Sequence, residues 1–276
     1  MPDELVWPGL FLLGAGVGIY GTLIGVGGGF LLVPILLYLY PDLPPESITA
    51  LSLGVVFFNA LSGTQAYARQ KRIDFEAGRI FAITTIPSAI IGALATSLLA
   101  ADAFEVAFAI LLITAAVWLQ VPRPTALRIT PPSPRMRRHS ITDIDNFTYV
   151  YSFDSRLALV LGFTIGVGAS LFGVGGGIFL VPAMVLLMRV PGHIATSTST
   201  FVLLFTGGTG ALVHLVAGHF SGLAAEEFTL AAGSLVGAQF GALFSRRLVN
   251  RQHVIARFFS LALLSVAARL LIGALF

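Results

Sequence analysis

Apolar runs separated by short polar turns fill nearly the whole chain, at roughly 5–24, 30–40, 48–68, 77–101, 104–121, 157–172, 178–188, 194–217, 228–244 and 258–275. A helix needs about 20 residues to cross a hydrocarbon core of about 30 Å, and most of these runs supply them. Two do not. Phe30 to Tyr40 and Ile178 to Met188 are 11 residues each. At 1.5 Å per residue that is about 16 Å, roughly to the middle of a bilayer. Each follows a glycine cluster, Gly27-Gly28-Gly29 or Gly175-Gly176-Gly177, and a helix loses about 1 kcal/mol per glycine relative to alanine. The pattern predicts a broken or re-entrant hairpin in each half, with an irregular tip near the midplane.

The two tips belong to a repeat. Residues 18–34, GIYGTLIGVGGGFLLVP, align without gaps with 166–182, GVGASLFGVGGGIFLVP, at an offset of 148, and a weaker match carries Gly92-Ala93 onto Gly241-Ala242. Self-similarity of this kind sets the architecture. Three full crossings plus one hairpin per half is an odd number of crossings, so the second copy is expected upside down, as in secondary transporters. The expected fold is an all-α polytopic membrane protein of two inverted-topology repeats, 1–121 and 157–276, joined by a Pro/Arg-rich linker at 122–156. Gly14, Gly16, Gly18 and Gly21 have the spacing of a close helix contact. Three successive glycines suit a turn whose backbone faces a ligand, because glycine accepts positive φ without a side chain. Close packing is the competing reading.

Composition agrees with lipid as the solvent. Of 276 residues, 56% are hydrophobic and 11% charged, with a mean hydropathy of +0.91; a soluble domain carries about 25% charged residues. With the N-terminus outside and each hairpin returning to the side it entered, the basic residues gather on one face. These are Arg69, Lys71, Arg72 and Arg79, then Arg123, Arg128, Arg135, Arg137, Arg138 and Arg156, then Arg189, Arg246, Arg247, Arg251 and Arg257, fifteen of the sixteen. The opposite turns are acidic, with Asp42 and Glu46, Asp102 and Glu105, and Glu226 and Glu227. Positive charge stays inside. The expectation is a multi-pass protein of the cytoplasmic (inner) membrane with both termini extracytoplasmic and the 122–156 loop cytoplasmic. The start, Met-Pro-Asp-Glu, lacks the basic region of a signal peptide, so the first segment is expected to be retained. The net charge of +3 lies in loops and points to the bilayer as partner, not to nucleic acid. In the linker, Pro122, Pro124, Pro131, Pro132 and Pro134 with neighbouring arginines are expected to resist folding.

The chain has no cysteine, which removes disulfides and thiol chemistry. His139, His193, His214, His219 and His253 show no pair at ligand spacing on one helix. No catalytic residue, metal or cofactor is expected. All thirteen acidic residues fall in loops or at segment ends, whereas proton relays and cation pumps keep carboxylates inside the membrane. A cation is thereby disfavoured as substrate, and an anion needs donors. The half-helices after Gly29 and Gly177 direct N–H groups and the positive dipole end inward, a ready anion site. The candidate binding residues are the six tip glycines, Thr22 and Ser170 just before them, and Ser52 and Asn59 with Ser62, Thr64 and Gln65 in the first long helix. The run Thr196, Ser197, Thr198, Ser199 and Thr200 in its counterpart, and Gln239 in the next helix, complete the set. A single hydroxyl commonly bonds back to the carbonyl at i−4, but five in a row point all round. Asn59 and Gln239 need either another helix or a ligand. Arg269 is expected to snorkel to the outer interface, and His214 to be a hydrogen-bonded structural histidine.

The paired GxGGGxxxVP elements, Gly25 to Pro34 and Gly173 to Pro182, together with Ala195-Thr196-Ser197-Thr198-Ser199 and the Gly-Ala ends at Gly92-Ala93 and Gly237 to Ala242, resemble the TauE/SafE family of sulfite and organosulfonate exporters. The resemblance covers nearly everything but 122–156. In the first half the polar stretch is diluted to Ala50-Leu51-Ser52-Leu53. The resemblance implies a secondary transporter exporting sulfite, sulfoacetate or a related sulfonate across the cytoplasmic membrane by alternating access. A passive anion channel and an uptake permease are the alternatives. The coupling ion, proton or sodium, and the oligomeric state stay open.

Overall fold

The computed structural model describes residues 3–120, 136–247, 260–261 and 263–271. The linker prolines 122–134, Arg123, Arg128, Arg135, Arg251, His253 and Arg257 lie outside the described residues. The first half runs α1 (Asp3–Ile24), α2 (Gly29–Leu39), α3 (Pro45–Arg69), α4 (Phe75–Thr96) and α5 (Ala101–Gln120). The second runs α6 (Ser155–Leu171), α7 (Gly177–Leu186), α8 (Gly192–Val216) and α9 (Ala224–Arg247). Residues 260–261 and 263–271 are helical as well. Of these helices, α1, α3, α4, α5, α8 and α9 are long and apolar enough to cross a membrane. This is a multi-pass membrane protein. α6 has 17 residues and joins α2 and α7 among the short ones.

The apolar runs became helices over the described residues because no strand-like alternation interrupts them, and the two breaks within the hairpins fall at glycine. α1 stops where Gly25, Gly27 and Gly28 adopt φ of 81°, 82° and 85°; Gly173, Gly175 and Gly176 stop α6 at 70°, 80° and 96°. The amides of Gly25 and Val26 return to the Gly21 carbonyl at 2.9 and 2.8 Å, closing the end of α1 as a left-handed helix cap does. The chain then doubles back, with Gly28 against Val17 and the Phe30 ring 6.3 Å from that of Tyr20.

Two parallel seams flank the centre. In one, Gly14 and Gly18 of α1 press on the backbone of Leu230 and Ser234 of α9, and Gly233, Gly237 and Gly241 press back on Phe11, Ala15 and Ile19. In the other, Gly162 and Gly166 of α6 meet Thr84 and Ser88 of α4, and Gly92 meets Val167. Small residues let backbones approach where lipid offers no hydrophobic drive. Gly16 is not part of its seam and meets nothing within 4 Å. Between the seams α3 and α8 run antiparallel, with Leu53 beside Gly210 and Gly63 beside Thr200. The α5 rings of Phe104 and Phe108 cover the tip residue Phe172 at 5.5 and 5.8 Å, in one apolar cluster with Leu263 and Ala267.

The fold is mostly helical, and over residues 136–154 the linker corrects the expectation that it resists folding. Residues 136–154 form an antiparallel hairpin of β1 (Met136–Thr142) and β2 (Thr148–Asp154), with His139 opposite Tyr151. Its turn is held by the Asp143 carboxylate, which accepts from the amides of Asp145 and Phe147 at 2.9 and 3.0 Å. Asn146 supplies the positive φ. The signal was present in Tyr149-Val150-Tyr151-Ser152-Phe153, whose aromatic residues recur with strand period; Tyr151 and Phe153 are both buried.

Candidate binding site at the crossed helix breaks

The two glycine tips meet. A Cβ on Gly29 would overlap the carbonyl oxygen of Gly173, and one on Gly177 that of Gly25. Each of those carbonyls accepts a hydroxyl from the opposite half. Ser52 of α3 donates to Gly173 at 2.6 Å, and Ser199 of α8 donates to Gly25 at 2.8 Å. Ser52 and Ser199 thus form a reciprocal clamp across the crossing. Val56 and Leu203 fill the space beside it, both reaching the positions a Cβ would take on Gly27 and Gly175. The crossing is therefore closed.

The tip amides are only partly free to face a ligand, which corrects the sequence reading. Those of Gly25, Val26 and Gly27 turn back to Gly21, and those of Val174 and Gly175 to Ala169. The amides that open α2 and α7, at Gly28–Gly29 and Gly176–Gly177, lie in the first turn, where no intrahelical acceptor exists. No side chain caps either start.

The other candidate hydroxyls and amides divide by the partners they hold. Thr22 donates to Asn59 at 2.9 Å, and Asn59 donates to the Gly18 carbonyl at 3.0 Å, so this pair ties α1 to α3. Gln239 donates to the Ser62 carbonyl and hydroxyl at 3.0 and 2.8 Å and closes the α3–α9 seam. Thr196 and Thr200 bond back one turn, to Gly192 and Thr196, both at 2.9 Å. Ser197 donates to the Arg72 carbonyl, and Thr198 accepts from the Asp74 amide at 3.0 Å. That end of the run serves the α3–α4 turn, not the tips. Two hydroxyls are different: that of Ser170 is buried beside Gly210 without a partner, and that of Thr64 is buried without one as well.

Asp74 is a residue the sequence reading missed. It caps α4 through the Ala77 amide at 2.9 Å. It also accepts from Tyr151, and it lies 2.8 Å from His139 Nδ1. Burial pushes its carboxyl up, but the hydrogen bonds from His139, Tyr151 and Ala77 outweigh that and hold it below the ordinary carboxylate value. Burial first, then the Asp74 charge, push the Tyr151 phenol up. The Tyr149 ring meets His193 of α8 edge-on at 4.3 Å. The hairpin is thereby fastened to both halves.

Arg269 lies 4.3 Å from the Tyr38 ring centroid, a cation–π contact. His214 pairs through Nδ1 with His219 Nδ1 at 2.8 Å. The expectation that every acidic side chain stays at the periphery is wrong for Glu227, whose two carboxyl oxygens are sealed from solvent against Gly54 without a partner. The sequence put it at a segment end; its side chain points into the α3–α9 seam. Among the described residues no group of three or more His, Asp or Glu could hold a metal ion.

Six helices among the described residues that are long and apolar enough to cross a membrane, two glycine breaks interlocked among them, define the class as a polytopic membrane protein. The chain belongs to the sulfite exporter TauE/SafE family, whose model matches residues 10–270. It is 33% identical over 248 residues to the "Probable membrane transporter protein YunE" of Bacillus subtilis (strain 168), covering 88% of this chain and 89% of that protein. A "Probable membrane transporter protein" of Xylella fastidiosa (strain Temecula1) is 28% identical over 254 residues, covering 91% and 89%. No solved structure matches. The chain is a membrane transporter of this family.

Proposed function

We propose that this protein is a secondary transporter that moves a small sulfur-containing anion, sulfite, sulfoacetate or a related sulfonate, out across the cytoplasmic membrane by alternating access of two inverted halves. The observation that carries the reading is the reciprocal clamp, in which each broken helix is held by a serine of the other half. Repeat mates that run antiparallel at the centre, α3 and α8, support the inversion. The anion's donors are the amides at Gly28, Gly29, Gly176 and Gly177, the clamp hydroxyls of Ser52 and Ser199, and the unpartnered hydroxyl of Ser170. They become available when Val56 and Leu203 separate. Thr22, Asn59, Thr196, Ser197, Thr198 and Gln239 act one step away, by fixing the helices that carry those donors. The basic residues of the α3–α4 turn and of the hairpin support a cytoplasmic position for that face, and with it both termini outside.

Vesicles reconstituted with the purified chain are expected to move sulfite saturably and to support counterflow. Sulfite movement no faster than in empty vesicles overturns the substrate, and non-saturating flux with single-channel currents overturns alternating access.

A further inference from the structure

Glu227 occupies a place that the other half of the molecule gives to a phenyl ring. The offset of 147 that pairs Ser52 with Ser199 also pairs Gly54 with Phe201, and the offset of 149 that pairs Gly92 with Gly241 also pairs Gly78 with Glu227. The contacts run between the pairs, one member of each meeting one of the other. Phe201 of α8 packs onto Gly78 of α4, and Glu227 of α9 packs onto Gly54 of α3, where its carboxyl overlaps the position of a Cβ. The same slot between a long helix and its seam neighbour therefore holds an apolar ring in one half and a carboxyl group in the other.

The carboxyl has none of the support a charge requires. Both oxygens are closed to solvent and neither has a hydrogen-bond partner. Its oxygens lie against Gly54 of α3, and from the next turn onward α9 packs on Val55 of α3 and on Phe11, Gly14 and Ala15 of α1. No titratable or charged group among these neighbours faces it, and its sequence neighbour Glu226 acts instead on Tyr40. An unpaired carboxylate in such a place costs several kcal/mol, so the group is neutral there or the slot opens. Isolated acids inside membranes mark ion or proton pathways for this reason.

We propose that Glu227 is the proton-binding site of the transport cycle: it enters the closed arrangement as the carboxylic acid and releases its proton when α9 and α3 part and water reaches it. One proton is bound and one released per cycle, which links anion movement to the proton gradient. The proposal rests on the transporter reading but not on the choice of anion. Gly54 is part of the site, because only a residue without a side chain leaves room for the carboxyl on α3.

Two measurements on the purified full-length chain test it. Infrared difference spectra between acid and alkaline pH need no substrate: wild type should show a protonated-carboxyl band that Glu227→Gln deletes. The same band in both proteins, or in neither, overturns the proposal. In vesicles, a pH gradient should drive net radiolabelled sulfite flux in wild type. Glu227→Gln should reduce that flux to the level of empty vesicles while sulfite counterflow at equal pH continues. An equal gradient response in wild type and variant overturns the proposal. If wild type moves no sulfite at all, the substrate reading fails alone and the infrared result still decides. Glu227→Leu guards against misfolding, since the matching slot already accepts Phe201. It should fold and lose the same band.

Discussion

The Ser199 hydroxyl lies 2.8 Å from the Gly25 carbonyl oxygen, so that the second half of the chain holds the break in the first. Ser52 returns the contact to Gly173. These bonds satisfy carbonyls that the broken helices leave without an intrahelical donor, and a buried acceptor left unmet costs about 1–3 kcal/mol. Ser52→Ala and Ser199→Ala are each expected to lower stability by about that much. Because both grip one crossing, the double variant should lose a different amount from the sum of the two. Thermal unfolding in detergent reads all three, and wild-type stability in both single variants would refute the clamp.

The left-handed tip glycines differ in how tightly they are held. An alanine at either Gly28 or Gly176 accepts strained φ at about 1–2 kcal/mol. At Gly28 the new methyl also strikes Val17, including its backbone oxygen at 2.8 Å, whereas at Gly176 it meets the Ala169 methyl at 2.9 Å. Gly28→Ala should therefore be the more damaging, for stability and for sulfite flux. Equal losses would mean that strain alone matters at the tips.

The pH dependence of the hairpin dock follows from Asp74. Its folded carboxyl is held below the ordinary value, so the charged form stabilises the folded state at pH above about 4, the unfolded range. That contribution is lost as pH falls through the depressed folded value. Asp74→Asn should lower stability at neutral pH and flatten its acid decline. Tyr151→Phe, which leaves His139 and Ala77 in place, should do so partially. Stability measured from pH 3 to pH 8 checks both, and an unchanged acid limb in Asp74→Asn would refute the assignment.

Gly54 and Glu227 should be coupled. A methyl at Gly54 strikes the Glu227 carboxyl, so Gly54→Ala is expected to destabilise by about 1–3 kcal/mol, the usual range for overpacking. Adding Glu227→Ala empties the slot and should restore part of the loss. Strict additivity of the two changes would show that the side chains do not meet.

The ion pair between Arg246 and Asp145 joins α9 to the hairpin turn, but the side chains are 50% and 42% exposed. Exposed pairs are worth about 0–1 kcal/mol. Arg246→Ala should leave the unfolding temperature nearly unchanged, and a large drop would show that this contact, not Asp74, secures the hairpin.

The chain's own pattern determined the spans, the breaks and the pairing of its halves. Run length decides what can cross a membrane, and glycine decides where a helix stops, because both act within a few residues. α1 to α9 accordingly begin and end close to the apolar runs, and the glycines that take positive φ at the breaks, Gly25, Gly27 and Gly28 with Gly173, Gly175 and Gly176, are mates at one offset. Tertiary structure decided where each polar group went. Five successive hydroxyls look alike in sequence, yet Thr196 and Thr200 bond back, Ser197 and Thr198 serve the α3–α4 turn, and Ser199 alone of the five donates to a tip carbonyl. The hairpin at 136–154 was overlooked because neighbouring prolines and arginines masked its short alternation. Glu227 was misplaced because a segment's end marks where its backbone starts, while the direction of the side chain depends on which helix lies across from it. Local sequence sets φ and length; the partners of Ser52 and Ser199 are set by a chain that folds back from more than a hundred residues away.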